Sequence, residues 1–192
     1  MAHLLFVCSG NICRSPAAQL ALRQRLGESD LTVASAGLYA RVGDPVDSPM
    51  AKLLALRDID TEGFEGRALD RPTLSSTDLV LVMTTKHRKA VVQMEPAAVQ
   101  RTFLLREFTR ILETARPDEL VEAEASHSKR LAAALTYVQL HRSPPRRPAD
   151  DEIPDPYRHS MHRYRRALDM ITASVDELAK VLVRDEVGAQ RT

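Results

Sequence analysis

The chain contains no tryptophan, and aromatic residues make up only 4% of it. Surfaces that stack nucleic-acid bases rely on aromatic side chains set among basic ones, and no stripe of that kind runs through these 192 residues. An excess of one charge is also missing: 27 Lys and Arg stand against 26 Asp and Glu, for a formal net charge of +1. No overall field therefore selects nucleic acid or an anionic membrane. No apolar run approaches the roughly 20 residues that cross a bilayer. The opening Met1-Ala2-His3 lacks a basic region and its apolar stretch stops at Cys8, unlike a secretory signal. The expected location is the cytoplasm. Only two cysteines occur, Cys8 and Cys13, in one short segment. That is not a disulfide framework, and a structural zinc needs about four ligands. The composition thus leads us to expect no metal, no cofactor, no nucleic-acid partner, no membrane partner and a monomeric chain.

What is present is concentrated near the start. His3-Leu4-Leu5-Phe6-Val7 is an apolar run of the kind that forms a strand covered on both faces. Cys8-Ser9-Gly10-Asn11-Ile12-Cys13-Arg14-Ser15 follows, and then Pro16-Ala17-Ala18-Gln19-Leu20-Ala21-Leu22, which suits a helix. Pro16 fits a first helical turn, with Ser15 expected as its N-cap. A loop ending at a helix N-terminus faces unpaired N–H groups and a dipole that favour an anion. Gly10 and Asn11 tolerate the positive φ that curls amides inward, and such a nest binds phosphate-like groups. Arg14 adds a planar, permanently charged clamp for phosphate oxygens. Cys8 stands at the edge of this positive environment, which favours the thiolate. Ser15 is placed to hydrogen-bond the sulfur. Attack of sulfur on phosphorus, giving a cysteinyl-phosphate, is the natural reaction.

The segment Cys8 to Pro16 resembles the phosphate-binding loop of the low-molecular-weight protein tyrosine phosphatases, matching the Cys-x-Gly-Asn-x-Cys-Arg-Ser pattern at every fixed position. The resemblance implies Cys8 as nucleophile, Arg14 as phosphate ligand, and a substrate site formed by Ser9, Gly10, Asn11, Ile12, Cys13 and Ser15. Expelling a phenolate needs a proton donor. Ile153-Pro154-Asp155-Pro156-Tyr157 stiffens one carboxylate between two prolines. By residue type alone this is a solvated turn; by the resemblance Asp155 is the general acid and then the base, and Tyr157 part of the aromatic wall around the substrate. Asp150, Asp151 and Glu152 read as a solvated acidic patch. Val33-Ala34-Ser35-Ala36-Gly37 reads as a strand ending in a turn, and the resemblance makes Ser35 a support for Asn11. A reversible Cys8–Cys13 disulfide under oxidant is one role for Cys13; loop packing is the other.

Along the rest of the chain, further strands are expected at 31–35, 78–83 and 102–105, and helices at 48–56 and 85–94, with His87 a surface or capping residue. Strands alternating with helices predict a three-layer α/β sandwich: a central four-stranded parallel sheet flanked by helices, with the phosphate loop after the first strand. Met161, Tyr164, Leu168, Ile171, Val175, Leu178 and Leu182 form one helical stripe, read as docking on the sheet rather than on a partner. A single domain over 1–192 is expected, with a helical insertion around 107–152. It holds a helix at 125–140 and a turn-rich stretch at 142–150, and is read as peripheral.

The chain departs from the family at the cleft. Many relatives carry a tryptophan after Ser-Ala-Gly; here the nearest aromatic is Tyr39, with Arg41 beside it to favour acidic peptides. Residues 63–67 lack the histidine that many relatives hold. A phosphoprotein substrate carrying phosphotyrosine, with phosphate as product, is the leading expectation. Phosphoarginine phosphatases of this type carry Thr where Ile12 stands. Thioredoxin-coupled arsenate reduction needs cysteines beyond Cys13, and none follows; a reductase that borrows a small thiol stays open, but Asp155-Pro156-Tyr157 is better explained by a phosphatase. A non-catalytic phosphate binder has no use for the thiol or the acid.

Overall fold

The computed structural model describes residues 1–120, 125–145 and 147–183. Strand β1, Ala2–Cys8, is apolar from Leu4 to Val7 because both of its faces are covered. Side chains alternate across a strand, so Leu4 and Phe6 enter one core while Leu5 and Val7 enter another. Strand β2 is Leu31–Gly37. Strand β3, Leu79–Val82, divides in the same way as β1: Leu79 and Leu81 join the first core, Val80 and Val82 the second. Strand β4 is Thr102–Leu104. The four are parallel in the order β2-β1-β3-β4. The sheet and its flanking helices are those expected, with β1 and β3 central.

Helices α1 (Arg14–Leu26) and α2 (Ser48–Ala55) belong to the larger core. Ala17, Ala18 and Ala21 are fully buried on α1, and their small side chains let it lie close to β1 and to the last helix. The other face is covered by α3 (Arg71–Ser75), through Leu74, and α4 (Thr85–Met94), through Val91. The one-turn α3 was not anticipated. Its signal is Asp70, whose carboxylate accepts from the Thr73 N–H at 2.8 Å, with Pro72 in the first turn.

Helices α5 (Leu105–Leu112), α6 (Pro117–Leu120) and α7 (His127–Leu140) occupy the segment read as an insertion. They are not peripheral: Phe108, Ile111, Leu131, Ala134 and Val138 are buried in the larger core. Of the turn-rich stretch, Arg146 lies outside the described residues. The last helix, α8 (Met161–Leu182), buries Tyr164, Leu168, Ile171, Val175, Leu178 and Leu182 at 2% exposure or less. Each fully buried Leu, Ile or Val stabilises the fold by roughly 1.5–3 kcal/mol. Met161, expected in the same stripe, is 40% exposed because it opens the helix beyond the edge of the core. Docking of α8 holds the Asp155 segment, five residues upstream, against the carboxyl end of the sheet. Among the described residues no helix is long and apolar enough to cross a membrane.

Candidate active site

β1 delivers Cys8 as its last residue, paired with Gly37 at the end of β2. The chain then curls, and its carbonyls are drawn outward. Cys8, Ser9, Gly10 and Ile12 accept from the N–H groups of Leu38, Tyr39, Arg41 and Asp47, all at 2.8–3.0 Å. With the oxygens tethered outside, the amides point the other way: the N–H groups of residues 10–13 have no hydrogen-bond partner among the described residues. Asn11 alone takes the left-handed conformation, at φ 53°; Gly10 does not need it. Gly37 is required for its size, since a Cβ there would stand 2.7 Å from the Ser9 carbonyl oxygen.

Helix α1 begins two residues earlier than expected, at Arg14, so Ser15 is not its N-cap. Cys13 holds that position and makes no side-chain cap. Ser15 is fully buried and works elsewhere. Its Oγ accepts from Asn11 Nδ2 at 2.9 Å and lies 3.0 Å from Cys8 Sγ. Its hydroxyl also donates to the Ala36 carbonyl at 3.4 Å. Asn11 Nδ2 also donates to Ser35 Oγ at 2.8 Å, and Asn11 Oδ1 accepts from the Arg67 N–H at 2.8 Å. Ser35 thus supports Asn11 as expected. The histidine-free segment 63–67 reaches the loop through that backbone amide.

Arg14 is buried, at 3% exposure. Its Nη2 pairs with Asp155 Oδ2 at 2.7 Å and its Nη1 donates to the Ile153 carbonyl at 3.3 Å. The Ile153 N–H donates to the Met83 carbonyl at 2.8 Å, which ties the segment to the end of β3. Asp155 Oδ1 accepts from the Tyr157 N–H at 3.1 Å. The guanidinium of Arg158 lies 5.2 Å from the centre of the Tyr157 ring. A cavity of about 180 Å³ opens over the loop, lined by Cys8, Ser9, Gly10, Ile12, Cys13, Arg14, Tyr39, Arg41, Asp155 and Tyr157. Of the residues expected at the substrate, Asn11 and Ser15 do not line it. They stand behind the loop and fix its shape.

Three supports were not legible in the sequence. His87 is not a surface residue: it is 6% exposed, and its Nε2 lies 2.9 Å from Ser9 Oγ. Burial first, and then the charge of Arg14, push its pKa down to about 4, so the ring is neutral. Asp47 accepts from the Tyr164 hydroxyl at 2.6 Å while its own N–H holds the Ile12 carbonyl; α8 thereby braces the loop. Burial and this bond raise the Tyr164 pKa. Burial, then Asp47, raise that of Cys13 and keep it a thiol. Both cysteines are buried and unbonded. Of the presumed solvated acidic patch, Asp151 is instead buried and paired with Arg110 at 2.9 Å, while Asp150 and Glu152 stay partly exposed. Among the described residues no group of three His, Cys, Asp or Glu side chains is placed to hold a metal ion.

The His87 shift carries a sign. An unfolded histidine protonates near pH 6.5, whereas the folded one stays neutral to about 4. Between those values the unfolded chain binds the extra proton. Stability conferred by the neutral ring is complete above pH 6.5 and falls by about 3 kcal/mol as pH drops to 4. Melting temperatures across that range are expected to fall more steeply for the native chain than for His87→Gln. Parallel curves would refute the assignment.

The family model described as low molecular weight phosphotyrosine protein phosphatase matches residues 3–119. The low molecular weight protein-tyrosine-phosphatase Etp of Escherichia coli is 30% identical over 181 residues, spanning 94% of this chain and 95% of that protein. Among solved structures, Vibrio vulnificus Wzb in complex with benzylphosphonate has a TM-score of 0.67 at 27% identity, covering 93% of this chain and 97% of its own. The YwlE arginine phosphatase of Geobacillus stearothermophilus, at 23% identity, shares the fold with a TM-score of 0.70, covering 100% of this chain and 99% of its own. With its loop, its sheet and its full-length likeness in agreement, this chain belongs to the low molecular weight phosphotyrosine protein phosphatase family.

Proposed function

We propose that the chain is a protein tyrosine phosphatase that uses Cys8 as nucleophile, Arg14 as phosphate ligand and Asp155 as general acid and base. The observation that carries this reading is one small cavity in which the Cys8 sulfur, open loop amides and the Arg14–Asp155 pair meet. A phosphate dianion entering it accepts from the amides of residues 10–13 and from Arg14. The Cys8 sulfur attacks phosphorus, forming the S–P bond as the P–O bond to the phenol breaks. Asp155 delivers its proton to the departing oxygen. The resulting carboxylate then takes a proton from water, whose oxygen attacks phosphorus. The S–P bond breaks, inorganic phosphate leaves, and the Ser15 hydroxyl stabilises the thiolate released.

The walls favour an aryl group. Ile12 lines the cavity with an apolar, β-branched side chain, and Tyr39 and Tyr157 supply ring faces. A free thiol nucleophile also needs a reducing compartment, in keeping with action in the cytoplasm. Etp and Wzb are named as tyrosine phosphatases, which supports the same substrate class here. The helices of 107–152 share the larger core with α8, which supports a single unit. Steady-state turnover of matched phosphotyrosine, phosphoserine and phosphoarginine peptides, with arsenate as a fourth arm, tests the proposal. Hydrolysis of the tyrosine peptide at least 100-fold above the others is expected. Preference for phosphoarginine, or reduction of arsenate without peptide hydrolysis, would overturn it.

A further inference from the structure

A second cavity, of about 620 Å³, shares Asp155 with the catalytic one. Four arginines reach it: Arg106 from α5, Arg147 from the stretch before the acid segment, and Arg163 and Arg166 from α8. Three carboxylates line it as well; two are paired with arginines, and Glu152 alone keeps its charge against Arg106, Arg163 and Arg166. Asp150 pairs with Arg147 at 3.2 Å, Glu152 accepts from the Thr85 N–H at 3.0 Å, and Asp155 is held by Arg14. Among the described residues the Arg163 side chain contacts only the His159 ring, at 3.3 Å. The guanidinium groups of Arg106 and Arg166 have no partner among the described residues. The cavity therefore keeps an uncompensated positive charge although the chain as a whole is nearly neutral.

Positions 163, 166 and 170 lie on one face of α8, so Arg163, Arg166 and Met170 form a single wall, with Arg106 on another element. A forked, weakly hydrated guanidinium is the group best suited to carboxylate or phosphate oxygens. The adjoining cavity is where the phosphate of the proposed substrate sits, and an anion in this one would come from the same polypeptide a few residues away. We propose that this cavity is a subsite for a second anionic side chain of the substrate, next to its phosphotyrosine, and that Arg106 and Arg166 recognise it. The inference rests on the tyrosine-phosphatase reading and narrows its substrate class to phosphotyrosine segments carrying a nearby carboxylate or second phosphate.

The test uses the full chain and phosphotyrosine peptides that carry Glu, Gln or phosphoserine at each of the three positions on either side. At one of these positions Glu or phosphoserine is expected to raise kcat/KM about ten-fold over Gln, the scale of charge-assisted bonds at a partly open site. Glu effective alone, phosphoserine effective alone, or both, would each support the subsite and identify its anion. In the double variant Arg106→Gln, Arg166→Gln the ten-fold preference should fall below two-fold, with turnover of p-nitrophenyl phosphate unchanged. An anion preference that survives in that variant, or no preference at any position while p-nitrophenyl phosphate is still turned over, overturns the subsite alone. A native chain inert on p-nitrophenyl phosphate overturns the phosphatase reading and the subsite with it.

Discussion

Replacing Cys8 by serine is expected to remove turnover of aryl phosphates, by roughly 10⁴-fold or more, while the anion still binds. The two halves of this expectation have separate causes. Sulfur is much the better nucleophile, and a serine hydroxyl in its place is too weak to attack phosphorus. The anion is held by other groups: the open amides of residues 10–13, the uncapped start of α1, and Arg14. None of them depends on the sulfur, because the loop takes its shape from the outward carbonyl bonds and from Asn11. Titration calorimetry with inorganic phosphate should therefore give a Kd close to that of the native chain. Near-normal hydrolysis by the variant would sink the mechanism, and lost phosphate binding would show that the sulfur shapes the cradle.

Replacing Asp155 by alanine is expected to slow poor leaving groups by roughly 10²–10⁴-fold, and p-nitrophenyl phosphate much less, since p-nitrophenolate departs without help. The geometry adds a second readout. Asp155 Oδ2 sits on Arg14 Nη2 at 2.7 Å, the guanidinium that a phosphate needs. When the dianion takes Arg14, Asp155 loses its cationic partner and gains a negative neighbour. On the proposed mechanism, substrate binding thus releases Asp155 from Arg14. In Asp155→Ala no carboxylate competes for Arg14, so phosphate inhibition should tighten several-fold while kcat falls. Equal slowing of good and poor leaving groups, or weaker phosphate binding, would count against this role.

The reactive segment was legible because it is continuous in the chain. Nucleophile, amide nest, arginine and serine all lie within Cys8–Ser15, and an apolar run and a proline mark the strand and helix on either side. The parallel sheet was legible for a related reason: strands covered on both faces leave unbroken apolar runs such as Leu79–Val82. Asp155 was harder, since a carboxylate between prolines is an ordinary turn until a fold brings it to Arg14. Ser15 was misjudged for a local reason. Its residue type suits a cap, but the loop turns it toward the sulfur, and Cys13 takes the cap position instead.

The residue content of one short loop and the layered class of the fold were readable from sequence alone, because both are written in neighbouring residues. Only the tertiary structure decided what surrounds them. His87 reaches Ser9 across 78 positions, Tyr164 reaches Asp47 across 117, and Asp151 is buried against Arg110 across 41. Contacts at such separations leave no local periodicity. The side chains that make them belong to types whose usual place is the surface or the core wall, so their partners become visible only once the sheet and α8 have brought them together.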